Sequence, residues 1–203
     1  CSSQDWLVKS ASLTRAETIG QGSFGTVYKV QVLSSGEWLA EKYFPSKTEA
    51  AEERQALERR LRREFRALQH AQHPNVVQLQ GIVVDDPSGL SLLTELSPLG
   101  SLRRVLNETS DMVLGSETAQ AAVLSGIASA MAFLHAQHPT PILHHDLKSD
   151  NVLVWPDAET GLLAKVSDFG MATGTGGSTM RSSAATTLGA GTFQYAAPET
   201  FDD

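Results

Sequence analysis

Residues 20–32 read GQGSFGTVYKVQV, and the fold turns on the character of the residues after the third glycine. A G-x-G-x-x-G run that opens a helix marks a dinucleotide-binding turn, with an acidic residue about 20 positions further on. Here Gly20, Gly22 and Gly25 open TVYKVQV, whose apolar and polar residues alternate with the period of a strand. The dinucleotide reading fails on that context. A glycine-rich hairpin can instead lie over a nucleotide, because glycines let backbone amides approach phosphate oxygens with no Cβ in the way. An ordinary turn has the same composition, so the run does not decide function by itself.

Outward from it, LSSGE at 33–37 reads as a turn and WLAEKYF at 38–44 as the returning strand. Ser46 and Glu49 form a capping box after Pro45 and open a charged helix to about Gln69, with Leu57, Leu61, Phe65 and Leu68 on its apolar face. Glu64 shares that stripe, whereas Arg59, Arg62, Arg63 and Arg66 fall on faces that can reach water. An inward carboxylate is costly unless paired, and Lys42 on the preceding strand is the candidate partner. A solvated place at the edge of the stripe is the alternative. Further strands are expected at 76–83 and 90–95, so the first hundred residues read as a small sheet carrying one helix. Beyond them come a short helix at 101–107, with Leu102, Val105 and Leu106 on one face, and a long one at 117–136. A hairpin, 152–155 with 162–166, turns around PDAETG. Residues 173–191, rich in Gly, Ser, Thr and Ala, read as a mobile loop.

The chain has 203 residues, 41% of them apolar, enough for one large domain or two small lobes. A formal charge of −7 argues against a nucleic-acid or anionic-membrane surface, which needs an excess of lysine and arginine. The single cysteine, Cys1, rules out a disulfide framework or a thiolate cluster and fits a reducing compartment. No run reads as a membrane span and no signal peptide opens the chain, so a cytoplasmic setting is expected, either of the protein or of the cytoplasmic part of a longer membrane protein. The first residue is not methionine, so a longer parent is expected too. Trp6 and Trp38 read as packing residues, with a docking surface as the other possibility.

The chemistry concentrates in ILHHDLKSDN, residues 142–151. Zinc binding by His135, His138, His144 and His145 is a poor fit, because no pair has the i, i+4 spacing of a helical site and cysteines are absent. Phosphoryl transfer explains more. It needs a carboxylate to orient and deprotonate an attacking hydroxyl, a cation at the transferred group, and oxygen ligands for magnesium. Asp146, Lys148 and Asn151 offer these in one short segment, and Asp168 in VSDFG offers an anionic magnesium ligand after the next hairpin.

Gly20, Gly22, Gly25 and Val27, then Lys42, Glu64, HHDLKSDN, DFG at 168–170 and APE at 197–199, stand in the order found in eukaryotic protein kinases. The chain resembles that family over about residues 14–203. The resemblance implies an α+β, bilobal fold: an N-terminal extension at 1–13, a β-rich N-lobe with one long helix and the hinge at 14–97, and a partial, mainly helical C-lobe at 98–203. It implies ATP and Mg2+ as cofactors, with Val27, Ala40 and Leu153 around adenine. Thr94 would be the gatekeeper, and backbone groups of Glu95 and Ser97 would bond the adenine edge. Lys42, paired to Glu64, would hold the α and β phosphates; Asp146 would take the proton; Lys148 would offset γ-phosphate charge; Asn151 and Asp168 would bind magnesium. Leu68, Leu79, His144 and Phe169 match a stack of apolar side chains that aligns the lobes, which makes His144 structural. The lysine two places after Asp146, together with GTFQYAAPE, is similar to the serine/threonine type, in which Thr192 supports Asp146 and Lys148. SDFGMA and TELSPLGSL are most similar to the tyrosine-kinase-like group. The implied partners are ATP and proteins bearing serine or threonine, with no nucleic acid and no membrane contact within this stretch.

Two departures matter. The family usually has arginine at the position of His145, where it grips a phosphate on the activation loop. Histidine is only partly charged near neutral pH and lacks the bidentate fork, so loop phosphorylation, with Ser178, Thr179, Ser182, Ser183, Thr186 and Thr187 as candidate acceptors, is expected to be a weak switch. Turnover of phosphorylated against dephosphorylated enzyme decides it, a large rise on phosphorylation being the contrary result. The sequence also stops at Asp203, shortly after APE, where the family pattern continues into more helices. The helix at 117–136 is apolar over more than one stripe, with Ala121, Leu124, Ala128, Ala132 and Phe133 widening it. The 203-residue piece is therefore expected to aggregate and to be poorly active. A function of another class, a kinase-shaped binding or scaffolding module without turnover, would be favoured by loss of Lys42, Asp146, Asn151 or Asp168. All four are present.

Overall fold

In the computed structural model the described residues are 6–22, 25–45, 51–85, 89–108, 115–174 and 195. The chain divides into two compact units, Cys1–Gln69 with Gln78–Leu96 and His70–Val77 with Ser97–Asp203.

The first unit is built on a five-stranded antiparallel sheet of β1 (Leu13–Gly22), β2 (Gly25–Val32), β3 (Trp38–Pro45), β4 (Leu79–Val83) and β5 (Gly89–Glu95), in the order β1-β2-β3-β5-β4. The expected β2–β3 hairpin is present, with Val27 opposite Lys42 and Val30 opposite Leu39. Helix α1 (Ala51–His70) buries Leu61, Glu64, Ala67 and Leu68, so Glu64 does lie on the inward stripe. The capping box of Ser46 and Glu49 falls outside the described residues. Strand β1 extends well ahead of the glycine run, where no strand was expected. It is an edge strand with one partner, its face is mostly solvated, and register shifts between Arg15 and Glu17 and between Thr18 and Gly20 break the period of two that would have betrayed it.

The apolar run 76–83 is not one strand. Val76, which belongs to the second unit, forms a parallel bridge with Val166 there, the Val77 amide donates to the Val166 carbonyl at 3.0 Å, and β4 begins only at Leu79. Periodicity cannot distinguish one strand from two adjacent apolar anchors.

In the second unit, α2 (Leu102–Glu108) and α3 (Glu117–His135) accompany the hairpin of β7 (Val152–Asp157) and β8 (Gly161–Val166), and β6 (Ile142–Leu143) pairs antiparallel with β9 (Thr173–Gly174). Ser116 caps α3, its hydroxyl accepting from the Ala119 amide at 3.1 Å. The hairpin turn is held by Asp157, whose Oδ1 accepts from the amides of Glu159 and Thr160 and from the Thr160 hydroxyl; those bonds lower its pKa. Val105, Ala119, Val123, Val152, Val154, Leu162 and Ala164 form one core cluster. Leu106, expected on the buried face of α2, is 47% exposed, and one side of that short helix suffices. Two residues of the expected loop, Thr173 and Gly174, are strand; the rest of 173–191 lies outside the described residues. Contrary to the expectation of no membrane-length run, α3 is long and apolar enough to span a membrane by length and composition alone. Its Ala119, Val123, Gly126, Ala130 and Leu134 are buried within the unit, one stripe of the helix, while other apolar positions such as Leu124 are exposed.

Candidate active site

In the first unit the site begins with the sheet register. Val27 faces Lys42 across β2–β3, Ala40 faces Thr94 across β3–β5, and Ala40 and Lys42 are two apart on one strand. Side chains directly opposite or two apart share a face, so Val27, Ala40, Lys42 and Thr94 lie on one side of the sheet. On that side Lys42 Nζ donates to Glu64 Oε1 at 2.8 Å and Oε2 at 2.9 Å. The Glu64 side chain is 3% exposed and that of Lys42 17%. Removing one partner of so buried a pair strands the other charge, a loss of about 3–5 kcal/mol.

Two of the glycines have different physical reasons. Gly25 has φ of 151°, and a Cβ there would stand 2.4 Å from the Tyr43 carbonyl oxygen, so the hairpin itself requires glycine. A Cβ on Gly20 would meet nothing closer than Val27 Cβ at 3.6 Å. Internal packing does not demand glycine at 20. Gly22 pairs with Gly25 at the end of the β1–β2 ladder.

The opposite face of β3 carries a feature that the sequence reading missed. Arg15 donates to both carboxylate oxygens of buried Glu41 at 2.6 and 2.8 Å, and the Ser91 hydroxyl donates to Glu41 Oε1 at 2.6 Å. The guanidinium also lies over the rings of Tyr28 and Tyr43, at 4.9 and 4.3 Å. This clamp ties β1, β3 and β5 behind Lys42. The signal available was a glutamate in strict alternation with buried Tyr43, at a position where solvent-facing charge would have been the ordinary reading. At the end of β5, the Glu95 amide donates to the Gln78 carbonyl at 3.1 Å, and the Gln78 amide to Glu95 Oε1 at 2.8 Å.

In the second unit the segment after β6 folds on itself. Asp146 Oδ2 receives Lys148 Nζ at 2.9 Å and Asn151 Nδ2 at 3.0 Å, and the same Asn151 amide donates to the Asp146 carbonyl at 2.8 Å. Asn151 is buried and its two amide hydrogens are used, while its Oδ1 has no partner among the described residues. A buried amide oxygen left open beside the Asp146 carboxylate fits a hard oxygen-preferring cation such as magnesium. Asp168 supplies a carboxylate; its Oδ1 accepts from the Gly170 amide at 3.3 Å. Asp168 and His145 are the two left-handed non-glycine residues among those described, both at φ 61°. Backbone strain of this type, about 1–3 kcal/mol each, concentrates at functional sites.

His144 is a strut. It is 2% exposed, its Nε2–H donates to the Ser167 carbonyl at 2.9 Å, its Nδ1 accepts from the Asp146 amide at 3.2 Å, and its ring meets Phe169 at 5.0 Å. With both nitrogens engaged by backbone, the ring is not a metal ligand. Burial lowers its pKa, partly offset by the Ser167 bond and by Asp168 and Asp146, and burial lowers the pKa of His145 as well. Ser167, unremarked in the sequence, is the joint of the site: besides receiving His144, its amide and hydroxyl donate to the Asn151 carbonyl at 2.8 and 3.0 Å. A small polar residue wedged between the apolar β8 and Asp168 was the available signal. Leu153 lies on β7, and Ser97 bonds the Val154 carbonyl through its hydroxyl at 2.5 Å. Leu68 and Leu79 are buried in the first unit, and Phe169 in the second. Thr192, the APE residues Ala197, Pro198 and Glu199, and the six candidate phosphoacceptors lie outside the described residues.

The sequence model of the protein kinase domain matches residues 13–203. The chain belongs to the protein kinase family. Among curated proteins this kinase domain is 33% identical over 197 residues to the LRR receptor-like serine/threonine-protein kinase FEI 2 of Arabidopsis thaliana, covering 97% of the chain and 31% of that protein. It is 33% identical over 187 residues to the serine/threonine-protein kinase CTR1 of the same plant, covering 92% and 21%. The receptor protein-tyrosine kinase CEPR1, also from Arabidopsis thaliana, is 34% identical over 191 residues, covering 93% and 19%. The chain thus spans less than a third of the length of these three relatives. The sheet-and-helix first unit agrees with the kinase fold, and the resemblance drawn from the ordered motifs stands.

Proposed function

We propose that this kinase domain transfers the γ-phosphate of ATP to serine or threonine hydroxyls of protein substrates in signalling. The observation that carries the reading is the Asp146–Lys148–Asn151 constellation, a half-buried carboxylate with an ammonium at 2.9 Å and a buried amide that presents an open oxygen. Asp146 orients the acceptor hydroxyl and takes its proton as the oxygen bonds to the γ-phosphorus and the bond from that phosphorus to the bridging oxygen of ADP breaks. Lys148 offsets the charge on the transferred group. Lys42, held by Glu64, binds the α and β phosphates under the glycine hairpin of Gly20, Gly22 and Gly25. Val27, Ala40 and Leu153 enclose adenine, Thr94 guards the back of its pocket, and backbone groups of Glu95 and Ser97 bond its edge. Asn151 Oδ1 and the Asp168 carboxylate would hold magnesium, which when bound neutralises phosphate oxygens. Serine and threonine are favoured as acceptors by Lys148, two places after Asp146, and by the serine/threonine kinases among the relatives. The domain works in the cytoplasm, with nucleic acid and membrane outside its partners.

The test is radiolabel transfer to a generic basic protein by the full-length protein. Replacing Asp146 with Asn should lower transfer by about 10²- to 10⁴-fold while nucleotide binding is retained. Full activity in Asp146→Asn sinks the assignment, and a wild type that binds ATP without transferring phosphate points instead to a kinase-shaped scaffold.

A further inference from the structure

The two edges of the sheet are held differently. At the β4 edge the chain ahead of β1 adds backbone bonds, the Ile82 amide donating to the Trp6 carbonyl at 2.7 Å and the Val8 amide to the Ile82 carbonyl at 2.9 Å. At the other edge β1 pairs with β2, and its register shifts between Arg15 and Glu17 and again between Thr18 and Gly20. A strand bends where its register shifts. The stretch that carries Gly20 and Gly22 is therefore an arm, joined to the regular part of the ladder next to Arg15.

Arg15 is fastened at that joint, and it reaches past the neighbouring strand. Its guanidinium passes over Tyr28 of β2, 4.9 Å from the ring centre, and donates to both carboxylate oxygens of Glu41 on β3 at 2.6 and 2.8 Å. Two strands with a third between them lie about 9–10 Å apart, a gap that backbone bonds do not cross and that two long side chains do. Tyr43, two residues on from Glu41, meets the same guanidinium at 4.3 Å, and the Ser91 hydroxyl on β5 holds Glu41 from the far side at 2.6 Å. Glu41 is 2% exposed, so water does not loosen the pair. The next residue on β3 is Lys42, whose side chain leaves the opposite face of the sheet to meet Glu64. One carboxylate thus ties the base of the glycine arm to the residue beside Lys42.

We propose that Arg15 and Glu41 are positioning residues for phosphoryl transfer, their pairing fixing the glycine arm of β1 relative to Lys42 so that both meet the same triphosphate. The proposal rests on the kinase reading above. A pair that only stabilised the sheet would be replaceable by apolar residues of similar volume, since a buried ion pair gains little over well-packed hydrophobic side chains. A positioning pair is not replaceable in that way, because an apolar contact carries no bidentate geometry.

The experiment uses the full-length protein in two forms. One replaces the cluster as a unit, Arg15→Met with Glu41→Leu and Ser91→Ala, so that no buried partner is stranded. The other is Arg15→Lys, which keeps the charge and loses the planar fork. The triple variant should melt close to wild type, while kcat falls about tenfold and KM for ATP stays within about twofold, because misplaced groups are felt in the transition state. Arg15→Lys should lower kcat about threefold. In parallel, hydrogen exchange read by peptide mass spectrometry without nucleotide should speed up over residues 16–22 in both forms and stay as in wild type over 152–166. Unchanged kcat, or unchanged exchange over 16–22, in a folded triple variant overturns the proposal, and Arg15→Lys carries the same two readouts if the triple variant does not fold. A loss of kcat that comes with a lower melting temperature and faster exchange throughout the first unit also overturns it, marking the pair as structural. If the wild type transfers no phosphate, the functional reading fails by itself, and exchange over 16–22 still decides whether the pair fixes the arm.

Discussion

A neutral imidazole sealed into a fold carries a pH liability, and His144 is one. The unfolded ring takes up its proton near 6.5, whereas burial holds the native ring below that value. Between the two values the unfolded chain binds more protons, so His144 contributes stability that is full above pH 6.5 and is lost as pH falls through the native value. His145, also lowered by burial, adds a change of the same sign. Urea midpoints measured from pH 8 down to 5 should fall, and His144→Gln, whose amide can both donate and accept, should flatten part of the slope. A midpoint that rises on acidification contradicts this account. At this scale the pairing of Lys42 with Glu64 was legible. Glu64 betrayed itself as a carboxylate on an apolar stripe, and the Lys42 bonds at 2.8 and 2.9 Å answer it. Glu41 did not, because in a strand the residue beside Lys42 points the other way, and no local pattern says whether a charge there meets water or an arginine from a distant strand. Ser167 was silent for the same reason: its work is done largely by backbone groups, which every residue has.

Among the elements, α3 offers a case where propensity and packing disagree. Gly126 sits mid-helix, where alanine ordinarily gains about 1 kcal/mol. A Cβ there would come within 2.7 Å of Asn75 Nδ2 and 3.3 Å of the Ala164 carbonyl oxygen, and those two atoms are bonded to each other at 2.9 Å. Breaking that bond and stranding its donor costs about 1–3 kcal/mol, more than the helix gains. Gly126→Ala should therefore lower the melting temperature; a more stable variant would show that Asn75 relaxes at no cost. Elements with a clean period were readable: TVYKVQV, WLAEKYF and the PDAETG hairpin fall where expected. Strand β1 was not, since an edge strand with two register shifts has neither a buried face to enforce alternation nor a constant period to display it. Val76 and Val77 misled for a third reason. They are apolar because they are buried, and their backbones pair with Val166 rather than continuing β4.

For the molecule as a whole, the sequence announced a helix too apolar for its own surroundings. Leu124 is 68% exposed on α3, and Ala121, Ala128 and Ala132 are not buried with the core stripe. The 203-residue chain should therefore self-associate, and sedimentation velocity at rising concentration checks it, a single monomeric species throughout being the adverse result. His70–Val77 belongs with the second unit, a return that no local spacing announces, because contacts that link distant stretches leave no trace in it. The backbone pairing of Trp6 and Val8 with Ile82 has a further practical meaning. Without it, β4 would end the sheet with unmet amides and carbonyls, an invitation to intermolecular strand addition. A recombinant fragment trimmed to start at the first glycine motif would thus lose a built-in guard against fibril-like stacking, however complete its catalytic motifs.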